Sequence, residues 1–202
     1  MEIALTTEDR GRIEESIRQK FIKVASTAEG QFQYPTGRAG LEALTYDMEK
    51  VQKLPDEAIT SYCGVGNPFT LGPIQKGEAV LDVGCGAGVD TLIAAGMVGS
   101  EGKVVGIDMI PAMLKRAKEN LQRTDFKNVT FMEASAEKLP FPNEDFDVVI
   151  SNGVFNLIPG KVKALSEVYR VLKPGGRMMI ADQILTGELP EDTKARVESW
   201  FR

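Results

Sequence analysis

The 202-residue chain has no histidine, only two cysteines and a single tryptophan. Without histidine it lacks the commonest general base and the commonest metal ligand, which excludes a histidine-based hydrolase triad and a zinc–histidine site. The two thiols, Cys63 and Cys85, read as free cysteines, because Met1-Glu2-Ile3-Ala4-Leu5 carries no basic-then-apolar secretion signal. No apolar run approaches the roughly 18 residues of a membrane span. Basic residues are also scarce: 24 Lys and Arg stand against 29 Asp and Glu, a net charge of -5 with no extended basic cluster. Neither nucleic acid nor an anionic membrane is therefore expected as a partner. The expected compartment is the cytoplasm, and the oligomeric state is left open.

At 43% hydrophobic and 26% charged, the chain can build one substantial core. From about Gln75 onward, strand and helix patterns alternate. Strands are predicted at Ala79–Val83, Val104–Asp108, Val129–Glu133, Phe146–Ser151 and Arg177–Ala181. Helices are predicted at Asp90–Val98, Pro111–Gln122, Lys161–Leu172 and Glu191–Arg202. The strands are near-continuous apolar runs, as in a parallel sheet covered on both faces. In Lys161–Leu172, Val162, Leu165, Val168, Tyr169 and Leu172 share a stripe expected to face the core. Lys173-Pro174-Gly175-Gly176 reads as a helix stop and a turn. The expected fold is α/β, a Rossmann-like doubly wound, mostly parallel sheet.

Residues 1–74 differ. Ile13, Ile17, Phe21 and Val24 mark an amphipathic helix, Gln31–Gly40 is loop-like, and short helices are expected near Asp47–Lys53 and Pro55–Tyr62. We read this region as an N-terminal helical cap over the ligand edge of the sheet, or else a brace on its back. Residues 75–202 form the cofactor-binding domain of the same structural unit.

The densest signal is Ala79-Val80-Leu81-Asp82-Val83-Gly84-Cys85-Gly86-Ala87-Gly88, followed by Asp108 at the end of the next strand. A phosphate-binding P-loop would need Gly-Lys-Ser/Thr after Gly88, and a dinucleotide fingerprint would need glycine where Val89 stands. What remains is a turn of three alternate glycines that lets a ligand approach bare backbone. Asp82 beside it disfavours a pyrophosphate and favours a cation; S-adenosylmethionine, with its sulfonium and ammonium, has the right sign. Asp108 is placed to accept hydrogen bonds from ribose hydroxyls, and Met109 to pack on the adenine.

Val80-Leu81-Asp82-Val83-Gly84-Cys85-Gly86-Ala87-Gly88 resembles the first motif of class I S-adenosylmethionine-dependent methyltransferases. So do Ala136–Phe141, Phe146-Asp147-Val148-Val149 and Tyr169–Gly176, a likeness running from about Gly77 to Asp182. The resemblance implies a cofactor site of Asp82, Gly84, Cys85, Gly86, Gly88, Asp108, Met109, Ser135, Ala136, Glu137 and Asn152. S-adenosylhomocysteine would be the product. It also places Ser135-Ala136-Glu137 beside the adenine, with Ser135 where an acid is common.

A narrower likeness is to the arsenite methyltransferase branch, carried by Gly66-Asn67-Pro68, Ile107–Leu114 and Ile150–Leu157. That branch holds trivalent arsenic on thiolates, a soft match. This chain has Val65 and Gly153 where the branch has cysteines. Cys63 is the candidate replacement thiolate, or else an incidental loop cysteine. The chain stops at Glu198-Ser199-Trp200-Phe201-Arg202, before the final strands the resemblance implies, so C-terminal strands are expected to be missing. Either a UGA codon recoded as selenocysteine or an ordinary cut of the chain would account for the stop. The functional expectation is methyl transfer to a small molecule, with trivalent arsenic as one acceptor. The alternatives are C- or O-methylation of a quinone-like metabolite, by similarity to the ubiquinone/menaquinone C-methyltransferases, and cofactor binding without turnover.

Overall fold

The computed structural model describes residues 5–184; the predicted helix Glu191–Arg202 lies outside them. Five strands form one sheet in the order β3-β2-β1-β4-β5, every pair parallel. They are β1 (Ala79–Val83), β2 (Lys103–Asp108), β3 (Val129–Glu133), β4 (Phe146–Asn152) and β5 (Leu172–Ala181). Helices α5 (Val89–Val98), α6 (Pro111–Gln122) and α7 (Lys161–Val171) make the crossovers β1–α5–β2, β2–α6–β3 and β4–α7–β5.

The unbroken apolar runs follow from two covered faces. Leu81, Val83, Val105, Ile107 and Val149 pack with Ala164, Val168 and Val171 of α7. The alternate residues Val80, Val104, Val148 and Ile150 pack with Ala94, Ala95 and Val98 of α5. Burying each such aliphatic side chain contributes about 1.5–3 kcal/mol. Two of the resembling motifs serve this frame. Asp147 accepts hydrogen bonds from the Ala79 N–H (2.8 Å) and the Lys173 ammonium (2.8 Å), tying β1, β4 and β5 together at their starts. Arg170 donates to the Leu139 and Phe141 carbonyls and pins that loop to α7.

The stripe predicted on α7 is corrected. Val162, Leu165 and Tyr169 are 62%, 45% and 84% exposed, and the buried face is Ala164, Val168 and Val171. The apolar residues of this helix span two adjoining faces, and the small Ala164 allows the closer approach to the sheet. β5 begins five residues before its predicted start. Leu172 pairs with Phe146, Lys173–Gly176 bulge outward, and regular pairing resumes at Arg177 opposite Val148.

N-terminal to the sheet lie α1 (Thr7–Ser26), α2 (Gly37–Ala43), α3 (Met48–Val51), α4 (Asp56–Thr60) and a 3-10 turn (Pro68–Leu71). α1 opens with a Thr6–Asp9 capping box. Its Val24 packs with Ala87, Ile110 and Met113 at the C-terminal edge of the sheet. α2 begins inside the stretch predicted as loop, Gln31–Gly40, and runs past its end. Its Gly40 serves close packing: a Cβ there would lie 2.5 Å from the Pro35 carbonyl oxygen. Among the described residues no helix is long and apolar enough to cross a membrane.

Candidate cofactor and acceptor site

Strand order reverses between β1 and β4, and ligands of open parallel sheets bind beyond the strand ends at such a point. There the chain forms a cavity of about 420 Å³, walled by the β1–α5 turn, the ends of β2, β3 and β4, residues 61–65 and α1.

The β1–α5 turn is built by hydrogen bonding. The Gly84 and Cys85 N–H groups both donate to the Ile107 carbonyl at 2.8 Å, and the Gly86 N–H donates to Asp108 Oδ2 at 2.9 Å. Gly84 has φ +73°, and a Cβ on it would lie 2.3 Å from a methyl of Val154. Asp108 Oδ1 accepts from the Ile110 N–H at 2.9 Å. Each oxygen thus uses one lone pair on the backbone, leaving capacity for ligand hydroxyls. Burial raises Asp108 to about 6, opposed by these N–H groups. Asp82, buried, accepts from the Thr91 hydroxyl at 2.6 Å. Burial, then the charge of Asp90, pushes Asp82 up to about 8.

Of the residues expected to hold cofactor, Asp82, Gly84, Cys85, Gly86, Asp108, Met109, Ser135, Ala136, Glu137 and Asn152 all line the cavity. Gly88 does not. It caps α5 in the left-handed region (φ +87°), and a Cβ there would lie 2.7 Å from the Phe131 ring. Glu137 is engaged by the Gly160 N–H (3.0 Å) and lies 3.8 Å from the Arg10 guanidinium of α1. The Ser135 hydroxyl accepts from the Glu137 N–H at 3.2 Å.

Asn152 is a clip. Its Oδ1 accepts from the N–H groups of Val65 (2.9 Å) and Gly66 (3.1 Å), and its Nδ2 donates to the Gly66 carbonyl (2.8 Å) and Asp90 (2.9 Å). Asp90 also accepts from the Tyr46 hydroxyl at 2.8 Å, and burial raises it to about 6. Tyr62 donates to the Gly66 carbonyl at 2.9 Å. The sequence reading missed Tyr46, Tyr62 and Asp90 because the hydrogen bonds that join them to Asn152 span 62 to 106 residues.

Cys63 packs against the cluster of Val24, Ala87, Ile110 and Met113. Burial, then the charges of Asp108 and Asp90, pushes its thiol up to about 12, so it stays protonated at neutral pH. The Tyr34 hydroxyl donates to the Cys63 carbonyl at 3.1 Å. Tyr34 and Phe32 stack at 5.0 Å between centroids, and the Lys20 ammonium lies 4.8 Å from the Phe32 ring. Val65 faces Gly153 instead. No group of three or more metal-ligating side chains occurs among the described residues.

A parallel open sheet with a glycine turn on β1, an acid at the tip of β2 and a cavity over both defines a nucleotide-cofactor-binding α/β domain. A methyltransferase-domain family model matches residues 74–202. The arsenite methyltransferase of Halobacterium salinarum is 42% identical over 164 residues, covering 81% of this chain and 42% of that protein. The demethylmenaquinone methyltransferase of Listeria welshimeri is 42% identical over 110 residues, covering 54% of this chain and 46% of that protein. The crystal structure of an arsenic(III) S-adenosylmethionine methyltransferase from Chlamydomonas reinhardtii matches with a TM-score of 0.58 at 35% identity, over 78% of this chain and 52% of that one. The chain spans less than half the length of these two curated relatives. It belongs to the class I S-adenosylmethionine-dependent methyltransferases, near the arsenite branch.

Proposed function

We propose that this chain binds S-adenosylmethionine in the cavity and transfers its methyl group to a small molecule. The observation that carries this reading is Asp108, hooked by backbone N–H groups at the tip of β2 and facing a cavity floored by the Gly84–Gly86 turn. These residues fit the cofactor. Asp108 retains lone pairs for ribose hydroxyls, Asp82 offers a counter-charge for an ammonium, and the turn admits close approach. When bound, the cofactor supplies an electrophilic methyl on a positively charged sulfur. The protein's part is alignment. Asp108 and Asp82 fix the two ends, the Asn152 clip holds residues 64–66 over the β4 end, and α1 with Phe32 and Tyr34 excludes water.

For the acceptor we propose trivalent arsenic, on the likeness to the Halobacterium enzyme. An arsenic lone pair attacks without losing a proton, which suits a chain with no histidine. With Val65 and Gly153 in place of thiols, arsenic would be held here without a protein thiolate pair. The Listeria relative favours a second reading, a quinone-like acceptor. Calorimetry with S-adenosylmethionine tests the cofactor, and release of S-adenosylhomocysteine with arsenite or a hydroquinone tests the acceptor. Binding with no release on any acceptor would favour a non-catalytic role.

A further inference from the structure

Among the described residues, the side chains with a formal charge that line the cavity are Glu14, Lys20, Asp82, Asp90, Asp108 and Glu137. Acids thus outnumber the single base. Such a wall suits the sulfonium and the ammonium of S-adenosylmethionine, but the amino-acid end of that molecule also carries a carboxylate. An anion set among acids needs a cation or a group of backbone N–H donors. The backbone here offers little. The Gly84 and Cys85 N–H groups are bonded to the Ile107 carbonyl, that of Gly86 to Asp108, and that of Gly88 to the Cys85 carbonyl. Nor is the N-terminus of α5 open to an anion. Asp90 stands in its first turn and the Thr91 hydroxyl donates to Asp82 at 2.6 Å, so two acids are already there.

Lys20 is the cation at hand. It lies three residues after Ile17 and four before Val24, on the stripe of α1 that these buried residues form with Ile13. It is half-buried and lines the cavity, on the face through which α1 meets the C-terminal edge of the sheet. Its ammonium lies 4.8 Å from the centroid of the Phe32 ring, another lining residue, a cation–π contact that restrains a long side chain. The Cys63 thiol feels the Lys20 charge together with those of Asp108 and Asp90, and Asp82 feels Asp90 in turn. The lone base and the acids therefore act over one short stretch of the cavity. We infer that Lys20 is the carboxylate site for the amino-acid end of the cofactor. Asp82 and Lys20 then supply opposite charges for the ammonium and the carboxylate borne on one carbon. Together they select an amino acid over a bare amine, and α1 becomes part of the binding site. This inference rests on the reading above that the cavity holds S-adenosylmethionine.

The test is calorimetry with S-adenosylhomocysteine and with S-adenosyl-3-thiopropylamine, which keeps the ammonium and lacks the carboxylate. Lys20→Met and Lys20→Gln should each weaken S-adenosylhomocysteine by about tenfold or more, the scale of one charge-assisted hydrogen bond. The same variants should bind the amine within about twofold of the unaltered protein, or more tightly, because a like charge has been removed. Lys20→Arg, which keeps the charge, should hold the preference between the two ligands within about threefold. Retained affinity for the amine shows that the variants are folded, a result that a purely structural role for Lys20 would not give. If the amine binds the unaltered protein too weakly to measure, 5′-methylthioadenosine replaces it as the ligand without a carboxylate. Equal losses for both ligands, or no loss for S-adenosylhomocysteine, would each overturn the inference. Failure of S-adenosylhomocysteine to bind the unaltered protein is a separate result, which removes the cofactor reading and this inference with it.

Discussion

Val65 and Gly153 face each other across the cavity wall: a Cβ placed on Gly153 would lie 3.2 Å from both γ-methyls of Val65. These are the two positions where the arsenite branch, by resemblance, carries cysteines. Here one side chain fills the gap that two would share. The pair is therefore apolar and closed, and any acceptor meets a methyl surface there.

The first prediction concerns Cys63. Its thiol is protonated and packs with Ala87 and Ile110, although Cys63, like Val65 and Gly153, lines the cavity. Cys63→Ser should leave arsenite-dependent release of S-adenosylhomocysteine largely unchanged. Abolished turnover with intact cofactor binding would instead make Cys63 an arsenic ligand.

Asp108→Ala should weaken S-adenosylmethionine binding by roughly 1.5–3 kcal/mol, the range for hydrogen bonds to a charged group. Calorimetry measures this directly. Unchanged affinity would remove Asp108 from the ribose.

The carboxyls of Asp82, Asp90 and Asp108 are raised above the ordinary carboxylate value, to about 8, 6 and 6. The folded, ligand-free protein therefore keeps protons that the unfolded chain gives up. Its stability should fall as pH rises from about 4 toward 8 through these groups. A cationic ligand favours the ionised carboxylates, so cofactor affinity should rise over the upper part of that window. Thermal midpoints with and without S-adenosylmethionine at pH 5.5 and 8 test both slopes. Asp82→Asn should flatten the first and weaken binding.

Asn152→Ala should destabilise the protein by about 2–3 kcal/mol, because it leaves the Val65 and Gly66 N–H groups without their acceptor. Urea unfolding reads the loss. Its effect on cofactor affinity should be smaller than that of Asp108→Ala, since its hydrogen bonds go to the protein.

Much of the sheet was legible because strand burial on both faces leaves a plain apolar signature, as in Ala79–Val83 and Phe146–Asn152. The glycine turn and Asp108 were legible because backbone approach and an acid at a strand tip need particular residues. The buried face of α7 was not: Val162, Leu165 and Tyr169 keep helical spacing as well as Ala164, Val168 and Val171 do, and only packing selects between them. Asn152 was placed in the site, but its hydrogen bonds to Val65, Gly66 and Asp90 were not legible. Its partners Tyr46, Tyr62 and Asp90 come from distant segments, and no local pattern announces them.

The cavity takes its walls from both the α1 region and the sheet, and the long Arg10–Glu137 pair is one direct link between α1 and the β3–β4 connection. A molecule seated between them acts as mortar, adding contacts to each side at once. Mass action then stabilises α1 more than the strands beneath it, whose core does not depend on the ligand. Amide exchange should register this as slowed exchange along Ile13–Val24 on loading, with little change in β1 or β4. The first helix of the chain would thus report occupancy of a site whose floor is encoded some seventy residues later.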